Sequence, residues 1–268
     1  MPAVPHDWLS FDVDRTLNLT TGFLADRVDR AEAEVAVVGL SGGLDSATTL
    51  TLAVEALGPA NVEALTLPGP TSTKRDERLA RQAAEAAGVE LDTIQIGPSA
   101  ETLEDELGIA VDRTVRGNLQ ARLRMAAMYA RANAHDGLVI GTGNKSELLT
   151  GYFTKYGDGG VDLLPLGDVY KTQERVLAAE LGVPEAILER PPTAGLWEGQ
   201  TDEDELGLAY TELDVVLAGL ERGQARETIA EAADVGGDEV ARVEGMVAAS
   251  EHKRATAPIA ERGAASES

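Results

Sequence analysis

Residues 41–46 read Ser-Gly-Gly-Leu-Asp-Ser and follow directly on an apolar run, Val35 to Leu40. Adjacent glycines let a backbone turn sharply and come close to a ligand. The helix-forming stretch behind them offers unpaired N–H groups and the positive end of its dipole, which suits a phosphate. Ser41 and Ser46 add hydroxyl donors. Asp45 has the wrong sign for a phosphate unless a cation lies between them, and Mg²⁺ commonly bridges carboxylates to substrate phosphates. A second acid, Glu147, follows another short apolar segment, Leu138–Thr142, so it too leaves a strand end. Two carboxylates at neighbouring strand exits can share one Mg²⁺. The turn has neither the G-x-x-x-x-G-K-[ST] spacing of a P-loop nor the G-x-G-x-x-G dinucleotide fingerprint. Taken alone, it also fits a plain strand–helix connection with Asp45 as a cap, and Glu147 a solvated helix acid.

These residues need a frame. An apolar stripe over 9–32 reads as an opening helix, after which strand and helix patterns alternate. Glu34–Leu40, Val62–Leu67, Leu91–Ile96 and Leu138–Thr142 read as strands. Asp45–Leu57, Thr73–Ala87, a short stretch near 99–107 and a longer one over 117–134 read as the helices between them, with another beginning near Lys145. Short buried strands separated by helices predict a single-domain α/β fold, a doubly wound parallel sheet with helices on both faces. In such sheets ligands bind beyond the carboxyl ends of the strands. Residues 151–166 break the pattern, with glycines amid Tyr152, Phe153 and Tyr156, and loops of this length are usually functional. Helices resume over 171–182 and 184–189, a second loop covers 191–203, and 208–257 is helical. One domain over 1–258 and a frayed acidic tail over 259–268 are expected.

The 268 residues, 43% of them hydrophobic, suffice for a large core. No apolar stretch approaches the ~20 residues of a membrane span, and the first residues lack the regions of a signal peptide, so a cytoplasmic enzyme is expected. The absence of cysteine excludes disulfides and thiolate chemistry. The net charge is −23, and only five of the 23 basic residues are lysines. Such a surface repels itself in dilute buffer and is screened by salt, which predicts a protein from a salt-loaded cytoplasm. With no basic patch, nucleic-acid binding is not expected.

Ser41-Gly42-Gly43-Leu44-Asp45-Ser46 resembles the SGGxDS signature of the N-type ATP pyrophosphatases, which adenylate a substrate and release pyrophosphate. Further stretches narrow the resemblance to the NAD synthetases. They are Gly117–Met125 (GNLQARLRM), Gly141–Glu147 (GTGNKSE), Gly151–Asp162 (GYFTKYGDGGVD), Pro165–Lys171 (PLGDVYK), Pro192–Trp197 (PTAGLW) and Glu251–Arg254 (EHKR). They run in order over residues 10–258. After the second strand, Leu67–Ser72 lacks the glutamine or arginine carried there by some relatives.

The resemblance implies an adenine nucleotide alpha hydrolase-like fold and an ammonia-dependent ligase that converts deamido-NAD to NAD through an adenylate, releasing AMP and pyrophosphate. It implies Mg²⁺ on Asp45 and Glu147, with Lys171 completing the catalytic set. ATP falls to Gly39, Leu40, Ser41, Gly42, Gly43, Leu44, Asp45, Ser46, Thr142, Lys171 and Thr193. Deamido-NAD falls to Arg122, Lys155, Asp162, His252 and Lys253. Four of the five lysines lie inside these motifs: Lys145, Lys155, Lys171 and Lys253. Size and the lack of cysteine point to ammonia rather than glutamine, and the family works as a homodimer. Another adenylating ligase of the superfamily and a non-catalytic nucleotide sensor are the alternative readings.

Overall fold

A computed structural model of the chain describes residues 4–193 and 201–260. It contains four parallel strands, β1 (Ala36–Gly39), β2 (Val62–Thr66), β3 (Leu91–Thr93) and β4 (Leu138–Ile140), in the order β3-β2-β1-β4. Helices α1 (Val13–Arg30), α2 (Leu44–Leu57), α3 (Lys74–Ala87), α4 (Gly97–Glu106), α5 (Arg113–Ala134) and α6 (Lys145–Thr150) alternate with them. Next come α7 (Lys171–Glu180), α8 (Glu185–Leu188), α9 (Asp202–Leu206), α10 (Tyr210–Glu221), α11 (Arg226–Ala233), α12 (Gly237–Ala249) and α13 (Glu251–Arg254).

The strands are apolar on both sides because both faces are covered. Ala36, Val38 and Leu40 join a core with residues of α1, α2, α3, α7 and α8. Val37, Leu65 and Val139 point the other way, onto Met125, Met128 and Ala132 of α5. The central helix α2 is buried almost all round, which explains why its sequence shows no polar stripe. A further apolar cluster joins α10, α11 and α12 to Leu9 and Tyr170.

The chain moves outward from β1 to β2 to β3 and then crosses back to lay β4 on the far side of β1. The connections after β1 and β4 therefore part in opposite directions, leaving a crevice at their carboxyl ends. Both candidate acids follow these two strands.

Several boundaries differ from expectation. The first helix starts at Val13 rather than near residue 9, because Asp12 caps it by accepting the Arg15 N–H at 2.9 Å. Similarly α5 starts at Arg113, where Asp112 accepts the Val115 N–H at 2.8 Å. Strand β3 ends at Thr93, since Ile96 turns into the core beneath α5. The 151–166 stretch forms successive turns and one parallel bridge, Leu163 to Ile140. There Asp162 N–H donates to Val139 O at 3.0 Å, and its carboxylate accepts the Val139 N–H at 2.8 Å and the Tyr129 hydroxyl at 3.0 Å. Much of the expected 191–203 loop (194–200) and of the expected tail (261–268) lies outside the described residues.

Gly141 lets this stretch lie against β4. A Cβ there would meet Val161 Cγ2 at 2.4 Å and Leu164 Cδ2 at 2.8 Å. Gly141→Ala should cost about 1–3 kcal/mol of stability, read by urea denaturation, because two packed side chains must shift. An unchanged midpoint would show that this contact does not hold the stretch in place.

Candidate active site

The glycine turn begins where β1 ends. Gly39 can approach α5 because a Cβ there would sit 3.0 Å from Met128 Sδ. Leu40 and Leu44 are buried, so only their backbones are available to a ligand. Gly42 takes φ +76°, and a Cβ on it would lie 2.4 Å from the Asp76 carbonyl oxygen, so this position admits glycine alone without rearrangement. The two serines shape the turn: Ser46 Oγ donates to Gly43 O at 3.0 Å, while Ser41 Oγ accepts the Gly43 N–H at 3.2 Å. Gly43 caps α2 without a side chain to satisfy the first helical N–H groups, which leaves an anion-binding terminus.

Asp45 stands in the first turn of α2. Its Oδ1 accepts from Lys171 Nζ at 2.5 Å and from Asn144 Nδ2 at 2.7 Å. Lys171 opens α7 and is 3% exposed, with the Glu174 carboxylate at 3.7 Å and the Tyr210 ring 5.5 Å from its ammonium. Burial opposes ionisation of Asp45, but the Lys171 charge and the hydrogen bonds around it win, and the carboxyl stays below its ordinary value. Lys171 is likewise held protonated: burial would lower its pKa, and Asp45, Glu174 and Glu147 together raise it. The ion pair thus stays charged despite burial.

Glu147 reaches the same crevice from α6. It forms a capping box with Asn144: the Glu147 N–H donates to Asn144 Oδ1 at 3.0 Å, and the Asn144 N–H to Glu147 Oε2 at 3.2 Å. Burial and then the Asp45 charge push the Glu147 carboxyl well above its ordinary range. The two acids therefore feel one another across the crevice, a repulsion that a shared cation relieves. Among the described residues, no group of three or more His, Cys, Asp or Glu side chains is arranged to hold a metal ion. Two carboxylates completed by phosphate oxygens and water is an ordinary donor set for Mg²⁺.

Behind the crevice, Asp214 of α10 braces two helix starts at once. It is fully buried and accepts from Ser146 Oγ at 2.5 Å, from the Thr172 N–H at 2.8 Å and from the Thr172 hydroxyl at 2.8 Å. Ser146 Oγ in turn accepts the Lys171 N–H at 3.0 Å. Ser146 adjoins Glu147 and Thr172 adjoins Lys171, so one carboxylate sets the relative position of both. Burial pushes the Asp214 carboxyl up to about 6.

The remaining candidates gather elsewhere. Arg122 of α5 donates Nε to Lys155 O at 3.3 Å. Lys155 Nζ donates to the His252 and Ala255 carbonyls. Lys253 Nζ donates to Gly151 O at 2.7 Å and Phe153 O at 2.9 Å, and His252 Nδ1 lies 3.1 Å from Ala249 O. Arg122, Lys155, His252 and Lys253 thus meet around the 151–157 turns, whereas Asp162 sits beside β4. Thr142 follows β4 at the crevice, and Thr193 is half-buried. Lys145 binds Asp168 at 2.8 Å and Glu221 at 2.9 Å, a structural tie between α6 and α10. Arg124 donates Nε to Leu67 O at 2.9 Å, supporting the exit of β2.

Sequence reasoning gave no separate role to Asn144, Glu174, Asp202 or Asp214. Asn144 was findable, since Asn-x-x-Glu before a helix is a capping-box pattern. Asp214 also carried a signal, a lone acid inside the apolar run Leu213–Leu217. Glu174, whose Oε1 has no hydrogen-bond partner, looks in sequence like any helix acid. Asp202 is buried against the Tyr210 hydroxyl at 3.1 Å and is equally silent in sequence.

The family model described as NAD synthase matches residues 16–257. The NH(3)-dependent NAD(+) synthetase of Methanococcoides burtonii is 43% identical over 251 residues, spanning 93% of this chain and 95% of the relative. The protein so described from Hyperthermus butylicus is 45% identical over 255 residues, 94% of this chain and 92% of its own. Among solved structures, NMN synthetase from Francisella tularensis has a TM-score of 0.83 at 36% identity, covering 93% of this chain and 99% of the other. NH3-dependent NAD synthetase from Campylobacter jejuni, in complex with nitrate, has a TM-score of 0.80 at 28% identity, covering 94% and 100%.

Asp214→Ala should lose about 3 kcal/mol or more of stability, because three donors lose their buried acceptor. Asp214→Asn tests the titration. A carboxyl raised from 3.8 to about 6 in the fold stabilises it below the unfolded value, and that contribution is lost as pH rises through 6. Wild type should therefore lose about 2–3 kcal/mol relative to Asp214→Asn between pH 4 and pH 7. A pH-independent difference in urea titrations would contradict the raised value.

Proposed function

The chain belongs to the NAD synthase family, and on that premise we propose that it makes NAD from deamido-NAD, ATP and ammonia. The nicotinate carboxylate attacks the α-phosphorus of ATP, forming an acyl-adenylate and releasing pyrophosphate. Ammonia then adds to the acyl carbon, AMP leaves, and the surplus proton passes to solvent. The observation that carries the reading is that the glycine turn, Asp45, Glu147 and Lys171 meet at one crevice, at the switch point of a sheet whose family is known.

The residues divide the work. Backbone N–H groups at the start of α2, with the Ser41–Ser46 turn, hold the leaving pyrophosphate. Lys171 supplies a fixed positive charge and holds Asp45 ionised and oriented. Asp45 and Glu147 would hold Mg²⁺, which would supply positive charge to offset that of the departing pyrophosphate. Thr142 and Thr193 stand on the ATP side of the reading. Arg122, Lys155, Asp162, His252 and Lys253 are assigned to deamido-NAD, and the lysines trade backbone carbonyls for ligand when it binds. Catalysis of this kind is positioning and electrostatics, with no protein nucleophile. The partner is a second copy of the chain. Exposed Leu107 and Ile109, between α4 and α5, leave apolar surface for it.

One relative favours a second reading. The Francisella protein is described as an NMN synthetase, so the same chemistry on the nicotinate mononucleotide is the rival. Incubation with ATP, Mg²⁺, ammonium and either deamido-NAD or the mononucleotide separates them. NAD and AMP should form in equal amounts, with the dinucleotide preferred, and preference for the mononucleotide would overturn the substrate assignment. Asp45→Asn and Glu147→Gln should each lower kcat by about 10³-fold or more with the fold intact by circular dichroism. Near-wild-type turnover would remove that residue from the metal site.

The acid-rich surface supports the reading of a salt-loaded cytoplasm. At a net charge of −23, raising KCl from 0.1 to 2 M should lift the melting temperature by about 10 °C, as the screening length shrinks. A flat or falling curve in calorimetry would reject this assignment.

A further inference from the structure

Arg190 lies just past α8 and is claimed by none of the motifs above. Its side chain is 15% exposed. Nη1 donates to the Gly42 carbonyl at 2.9 Å, and Nη2 to Asp76 Oδ1 at 2.5 Å. The other oxygen of Asp76 accepts the Thr73 N–H and the Thr73 hydroxyl, each at 2.8 Å, in the capping box of α3. The first turn of α3 is pressed against Gly42, as the 2.4 Å from a Cβ there to Asp76 O shows. Three segments distant in sequence thus meet at one guanidinium: the glycine turn, the start of α3 and the stretch leading to Thr193.

The hold on Gly42 has a directional consequence. In a trans peptide the carbonyl and the next N–H point opposite ways. Fixing the Gly42 carbonyl toward Arg190 fixes the Gly43 N–H the other way, toward Ser41 Oγ at 3.2 Å. A planar fork of donors can set two acceptors in a fixed relation, which a single ammonium cannot.

We propose that Arg190 is a positioning residue for ATP: by clamping the Gly42 carbonyl to Asp76 it presets the peptide at the middle of the phosphate-binding turn. It touches neither ATP nor the reacting atoms. This deepens the reading of the Ser41–Ser46 turn as the pyrophosphate site and rests on it.

Two measurements on the full chain test it: equilibrium binding of ATP with Mg²⁺ alone, and steady-state kinetics with all substrates. Arg190→Gln should weaken ATP binding and raise KM for ATP about tenfold, with KM for deamido-NAD within about twofold of wild type. Arg190→Lys keeps the charge and one acceptor and should fall between the two. Asp76→Asn, which loosens the clamp from its far side, should shift ATP affinity in the same direction by less. Unchanged ATP affinity in Arg190→Gln would overturn the proposal. So would a Lys variant equal to wild type, or equal losses for both substrates with a lowered melting temperature, which mark a merely structural residue. Wild type that binds ATP but forms no NAD would refute the reaction and leave this test standing. Wild type that binds no ATP would refute both.

Discussion

The site depends on an ion pair between two groups that burial would otherwise neutralise. Lys171 is almost fully enclosed, and an isolated ammonium there would lose its proton. Asp45 keeps it charged, and Lys171 keeps Asp45 ionised in return. Removing either partner weakens the other's hold on its charge, although Glu174 at 3.7 Å still faces Lys171. The pair also joins the start of α2 to the start of α7, bringing the glycine turn and the lysine together.

The surroundings show why the pair holds a defined geometry. Asn144 donates to Asp45 while its own N–H and side-chain oxygen serve Glu147. Asp214 then fixes Ser146 and Thr172, the neighbours of Glu147 and Lys171. These contacts are satisfied in chains, and such networks are rigid when complete. Their incomplete points are the Oε1 of Glu174 and the Oδ1 of Asp202, both buried beside the same charges. Acidic residues therefore crowd one lysine at the carboxyl end of the sheet, an arrangement suited to a site that receives further positive charge with its ligand.

The second cluster is built on a different principle. Lys155 and Lys253 are spent on backbone carbonyls, and those bonds tie the last helix to the 151–157 turns. Such bonds are exchangeable, because a carbonyl is a weaker partner for an ammonium than an anionic ligand is. Lys171, by contrast, is locked to a carboxylate, so its charge is fixed, whereas the other two lysines are held only by carbonyls.

Local features were legible in the order of the residues. Alternating apolar runs and helical stripes set a parallel α/β sheet, and Ser41–Ser46 after an apolar run fixed a glycine turn at a strand exit. Asp45 and Glu147 were legible as a pair because each follows a strand, and the motif order named the family. Each of these signals is carried by a short run of consecutive residues. The long-range meetings come from the packing of the fold. Lys171 meets Asp45 across 126 positions and Asp214 meets Ser146 across 68, and Arg190 finds Gly42 across 148. Strand register, the return of β4 to the far side of β1 and the packing of α10 behind the crevice make those meetings. No periodicity in a linear chain records them: apolar neighbours can mark an acid such as Asp214 as buried, but they do not name its distant partner.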